Sequence, residues 1–173
     1  MLKPYFFLHR FSGVILLPVL LLVFLGSSCA QRKGAALSFK GCTNTVQQGF
    51  EGSVKEVSGN MMPGPGVIRH SGTGLETDVY IFELTKAETL EKTGADSRFY
   101  KMPKTKLIAK GKSDKDGCFR VALPAGRYSV FVNVPGNGLF ANRFDGENNV
   151  FPCEVLPDAL APVEIKVDYK AAY

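Results

Sequence analysis

The 173-residue chain contains no tryptophan. Sugar-binding surfaces usually set a flat Trp or Tyr ring against the ligand, so that role would fall to tyrosine or phenylalanine here. Histidine is almost as scarce, with only two. His9 lies in an N-terminal apolar segment, which leaves His70 alone in the rest of the chain. One histidine excludes a His-based metal cluster, and a Ser-His or Cys-His catalytic pair would have only His70 to draw on. A zinc peptidase wants two His and a Glu. There is no Cys-x-x-Cys and no His beside any cysteine, so the spacing matches no zinc site. Excess charge is lacking too. The formal charge is +5, and near +3 once Lys3 and Arg10 are set aside with the N-terminal segment. That mild balance argues against a nucleic-acid partner, which calls for a basic stripe. The expectation is a protein with no catalytic residues, no metal and no cofactor.

What is present begins at the N-terminus. Lys3 and Arg10 precede the apolar run Val14–Leu25, followed by Gly26-Ser27-Ser28 and then Cys29. A basic start, an apolar stretch of about a dozen residues and small residues at the cut describe a secretory signal, and the run is short for a transmembrane helix. A cysteine directly after the small residues resembles a bacterial lipobox, with Cys29 lipidated as the first residue of the mature protein. Gly26 stands where that motif usually has Leu, and Leu25 is one step further out. Residues 1–28 are thus expected to be a lipoprotein signal peptide, 29–48 a flexible tether and 49–173 one domain. Arg32, Lys33 and Lys40 fit a solvated tether. Ala30-Gln31-Arg32-Lys33 lacks the acidic cluster that resembles a surface-export signal, which favours the outer membrane of a bacterial envelope with the domain facing the periplasm.

Four cysteines occur: Cys29, Cys42, Cys118 and Cys153. With Cys29 lipidated the remaining three allow one disulfide and one free thiol in an oxidising compartment. Cys118 and Cys153 could pair, although alternation puts them on opposite faces. A buried free Cys153 is the other reading.

From Phe50 onward short strands alternate with turn residues. Phe50–Val57 reads as the first strand, and Ser58–Glu76 as a Gly/Pro-rich loop. TDVYIFEL (Thr77–Leu84) is apolar enough to be central or buried on both faces. Thr85-Lys86-Ala87-Glu88 fits a capping box, so one short helix over about Lys86–Lys92, or else a solvated loop, falls within an insertion ending near Thr105. Asp114–Gly117 fits a type I turn with Gly117 left-handed. The next strand puts Phe119, Val121 and Leu123 on one side and Cys118, Arg120 and Ala122 on the other. After the Pro124-Ala125-Gly126 turn, Tyr128, Val130, Val132 and Val134 point inward. Val150–Val155 directs Phe151, Cys153 and Val155 inward, and the last strand buries Val163, Ile165, Val167 and Tyr169. Seven or eight short strands with at most one short helix make an all-β, antiparallel β-sandwich.

The segment SDKDGCFRVALPAGRYSVFV resembles the core of carboxypeptidase regulatory-like domains, which have a transthyretin-like (prealbumin-like) Greek-key sandwich. The matching residues are Asp116-Gly117, Phe119, Leu123-Pro124, Gly126 and Tyr128, with Gly49–Val54 similar to the family's opening strand. GNMMPGPG, YSVFV, LFANRFDG and IKVDYKAAY look like envelope lipoproteins of Bacteroidetes-type bacteria. Cys118 and the long Thr85–Thr105 insertion depart from the pattern. The resemblance implies a Greek-key fold and no catalytic residues.

Asp114-x-Asp116-Gly117 resembles the start of a calcium loop, but its twelfth position is Ala125 rather than Glu, and the hairpin turn explains it. Asp145–Asn149 also offers oxygens. An isopeptide crosslink of the Cna-B type would use Lys55 and Asp168, yet both fall on the solvent face. The expected function is a non-enzymatic, lipid-anchored envelope protein with a binding or structural domain. The alternative is a carbohydrate-binding module of a glycan-uptake system. Partners are then the membrane, through Cys29, and an envelope protein or glycan. Two rich loops are the candidate interaction surface: Met62 and His70 in one, and Phe140, Asn142, Arg143 and Phe144 in the other. A competing reading has Phe140 and Phe144 plugging the end of the sandwich.

Overall fold

In a computed structural model of the chain, the described residues are 42, 46–64 and 71–173. Cys29, the signal segment, His70 and most of the tether lie outside them. The described residues belong to one compact unit, Ala35–Tyr173. Ten strands run through them: β1 (Gly49–Asn60), β2 (Thr73–Gly74), β3 (Asp78–Glu83), β4 (Phe99–Tyr100), β5 (Leu107–Lys112), β6 (Cys118–Ala122), β7 (Gly126–Val134), β8 (Gly138–Phe140), β9 (Pro152–Val155) and β10 (Leu160–Ala172). Two of the ten, β2 and β4, are only two residues long, which is why alternation in the sequence finds seven or eight.

Each sheet is built on one long strand with a divided edge. In the first sheet β1 pairs along its length with β10, and its other edge is shared by β6 and then β2. In the second, β7 pairs with β3, and its other edge is shared by β9 and β8. β5 lies beyond β3, and β4 beyond β8. The β1–β10 pair is parallel, the exception in an otherwise antiparallel sandwich. A parallel pair needs a crossover connection, and nearly the whole domain supplies one.

The inner faces meet over Phe50, Val54, Phe119, Val121, Val163, Ile165 and Val167 from the first sheet. From the second come Val79, Ile81, Tyr128, Val130, Val132 and Phe140. Phe50 and Tyr128 touch edge to face across the layers, with centroids 6.1 Å apart. The inward residues of β6, β7 and β10 are those the alternation selects. Gly117 adopts φ +82°, and a Cβ there would strike the Val54 carbonyl, so the turn requires glycine.

The insertion differs from expectation. Only a single 3₁₀ turn forms, Ala87–Thr89, and Lys86 rather than Thr85 precedes it, with no side-chain cap. Thr85 is 1% exposed, and its hydroxyl is committed to Glu83 O and the Thr105 hydroxyl, while its N–H donates to Ser129 Oγ. Lys86 bridges to Asn149 and Lys92 to Tyr100, which holds the flanking backbone extended. The insertion accompanies a second apolar layer on the outer face of the second sheet. Phe131 packs edge to face on Phe82 and on Tyr100, and Tyr80 stacks on Phe82. Ala87 and Leu90 of the insertion pack against the core. The apolar run of β3 therefore belongs to a strand covered on both faces.

Candidate functional site

The sulfurs pair in a way that spacing did not reveal. Cys42 is bonded to Cys118, with Cα atoms 5.6 Å apart, and Cys153 is free. The Cys118–Cys153 alternative is overturned, because Cys153 sits opposite Tyr128 on the inner face of the second sheet, whereas Cys118 starts β6 on the outer face of the first. Burial pushes the Cys153 thiol up to about 11, which leaves it almost wholly protonated at neutral pH.

Both acidic turns use their carboxylates internally. Asp114 Oδ1 accepts the N–H groups of Asp116 and Cys118. Asp145 Oδ1 accepts those of Glu147 and Asn149, and its Oδ2 takes the Asn149 side-chain amide and Arg127. The Asn149 amide, with the backbone donors and Arg127, holds Asp145 below the usual carboxylate range. These are Asx-type turns of one design, repeated. Lys55 reaches Glu164 at 3.6 Å, and Asp168 binds Arg98, so the two crosslink candidates are engaged elsewhere.

The loop candidates separate. Phe140 is fully buried, opposite Val132 and against Phe99, and is therefore a core residue rather than a contact residue. Phe144 is 50% exposed, with its backbone bridged to Val150, and does not plug the end of the sandwich. Met62 is also exposed, with its N–H on Asn60 Oδ1. Its neighbour Met61 lines a cleft with Glu56–Ser58 and Ser71–Thr73, whereas Asn142 and Arg143 line a different one.

That second cleft, about 260 Å³, lies between the segment after β8 and β10 and is bounded by Asn142, Arg143, Glu164, Lys166 and Asp168. Its floor is organised by Asp168. Oδ1 accepts from Arg98 Nη1 at 3.3 Å and Asn142 Nδ2 at 3.1 Å, and Oδ2 accepts from the Tyr173 hydroxyl at 3.0 Å. Asn142 also donates to Lys166 O, and Arg98 to Asp168 O. These side chains therefore supply donors along the outer edge of β10, where another strand would otherwise dock. Arg98 is also held by Asp96, which raises the guanidinium and lowers the carboxyl. The sequence flagged Asn142 and Arg143 but not Arg98, Asp168 or Tyr173 as members of this group. The whole group comes from three separate segments, around Arg98, Asn142–Arg143 and Asp168–Tyr173, and no local spacing joins the three.

Arg143 is the remaining cation. Its guanidinium lies 4.6 Å from the centroid of the Phe151 ring. It forms no ion pair among the described residues, whereas Glu164 bridges Lys55 and Lys166. Compared with known proteins, the chain matches no family model, no curated protein and no solved structure.

Proposed function

We propose that this chain is a non-enzymatic, lipid-anchored protein of a bacterial cell envelope whose β-sandwich acts by binding, with the Asn142–Arg143 cleft as its contact surface. The observation that carries the reading is the Cys42–Cys118 disulfide. A disulfide persists in an oxidising compartment, which is where a lipobox at Cys29 would send the chain. It also ties Cys42, within the expected tether, to the start of β6. The resemblance to carboxypeptidase regulatory-like domains agrees with a role that needs no catalytic residues.

A carbohydrate-binding role is the second reading, and one observation favours it. Tyr173 is 66% exposed, and its hydroxyl bonds to Asp168 in the cleft. That places an open aromatic ring beside hydrogen-bonding side chains.

Expression with labelled fatty acid tests the anchor. The wild-type chain should take up label and sediment with membranes, and Cys29→Ser should lose both. Arg143→Ala should keep its membrane location and melting temperature but capture fewer envelope partners after crosslinking. A wild-type protein without label removes the anchor, and undiminished capture by Arg143→Ala removes the cleft.

A further inference from the structure

The acidic groups around the cleft all have cationic partners, whereas Arg143 has no acidic one among the described residues. Asp168 is matched by Arg98 and further satisfied by Asn142 and Tyr173. Glu164 is matched by Lys55 and Lys166. Arg143 alone keeps its charge and its N–H fork unspent among the described residues, while the Phe151 ring supports the guanidinium from one side. An aromatic ring beneath a guanidinium limits its rotation and leaves the fork free for a planar, two-oxygen anion. Asn142 adds a complementary group. Its Nδ2 is fixed by Lys166 O and Asp168, so its Oδ1 is held in place and remains free to accept from a ligand hydroxyl. Tyr173 does not line the cleft, but its hydroxyl bonds Asp168 of the cleft and its side chain is exposed.

We propose that this cleft binds a carboxylate on a hydroxyl-rich ligand, an acidic sugar, with Arg143 taking the carboxylate in a bidentate pair. The proposal rests on the binding reading given above and names its ligand class. A neutral sugar would leave Arg143 unused. A plain carboxylate would leave Asn142 unused. Asp168 and Glu164 do not repel the ligand as free charges would, because each is already paired.

Titration of the purified mature protein, followed by backbone amide NMR, tests this with glucuronate, glucose, acetate and N-acetyl-alanyl-alanine as probes. Glucuronate should give saturable shifts centred on Asn142–Asp145, with binding at least about tenfold tighter than glucose or acetate. Arg143→Ala should weaken glucuronate by about tenfold or more, since a charge-assisted bidentate pair is lost. Arg143→Lys should recover part of that, because it restores the charge without the fork. Lys112→Ala, far along the chain on β5, should bind as wild type. The proposal is overturned if glucuronate gives no saturable shift, if glucose matches it, if Arg143→Ala leaves it unchanged, or if the peptide carboxylate binds more tightly. Crosslinked capture separates the two levels. Silence toward glucuronate with capture still dependent on Arg143 rejects the acidic sugar and keeps the cleft, whereas silence with capture independent of Arg143 rejects both.

Discussion

The outer face of the first sheet carries Glu51, Lys55, Glu164, Lys166 and Lys170, whereas the outer face of the second carries Tyr80, Phe82, Phe131 and Leu139. On the first, charges pair across neighbouring strands: Arg120 with Glu51, Lys55 with Glu164, Lys170 with Glu56. On the second, Phe82, Phe131 and Leu139 are at most 4% exposed, and Tyr100 adds to the cluster at 2%. Exposed ion pairs are worth about 0–1 kcal/mol each. A large apolar side chain taken fully out of water contributes roughly 1.5–3 kcal/mol. One sandwich therefore has a face whose ion pairs add little stability, and another that forms a second small core. The difference teaches that the Thr85–Thr105 segment is a structural cover.

Substitutions on the two faces should separate sharply. Phe131 is fully buried and touches both Phe82 and Tyr100. Phe131→Ala should cost about 3–5 kcal/mol in urea denaturation, through lost burial and a residual cavity. Lys166→Ala, on the polar face, should cost about 0.5 kcal/mol or less. Equal losses would mean that the second outer face is not a core, and the contrast between the two faces would collapse.

The same contrast explains what was legible in the sequence. Where a face meets water, residues alternate, and the alternation is readable: Val163, Ile165 and Val167 inward, with Glu164 and Lys166 outward. Where both faces are covered, alternation vanishes, so Val79–Phe82 announces burial without saying what covers it. The insertion has no period of its own because it follows the surface it packs on. Its capping-box residues misled, since Thr85 is drawn into a buried hydroxyl network instead of starting a helix. The parallel β1–β10 pairing and the Asp168 cluster join residues far apart in sequence, and strand patterning is silent on such distances. Cys42 fell in a stretch without strand character, so nothing local linked it to Cys118. Arg143 was legible as part of a rich loop, and among the described residues it forms no ion pair in its cleft.

The disulfide is the polar face's covalent reinforcement. It closes a loop with a sequence separation of 76 residues. Constraining the unfolded chain over such a length stabilises the fold by about 2–4 kcal/mol. A Cys42→Ser/Cys118→Ser chain, or the wild type under reductant, should lose that amount in urea denaturation while keeping its far-ultraviolet spectrum. The loss should be smaller than that of Phe131→Ala, because no cavity forms in a core. If reduction changes nothing, the polar face needs no staple, and the contrast with the aromatic face weakens from the other side.

The smallest effect is expected at Ser53, where the polar face departs from its own rule. Ser53 lies opposite Cys118 in the β1–β6 pairing, on the outer side of the sheet, yet is only 5% exposed. Its hydroxyl is buried without a hydrogen-bond partner. Leaving such a group unpaired costs roughly 1–3 kcal/mol, so deleting it relieves a penalty. Against that, alanine suits a strand slightly less well. Ser53→Ala should therefore be neutral or stabilise by up to about 1 kcal/mol in urea denaturation. The gain should shrink in the Cys42→Ser/Cys118→Ser background, because without the disulfide beside it water can reach the hydroxyl. A double-mutant cycle measures that coupling directly. A clear loss of stability on Ser53→Ala would show that the hydroxyl is bonded in solution. The outer face of the first sheet would then be uniformly satisfied, and the disulfide would cover nothing that water could not serve.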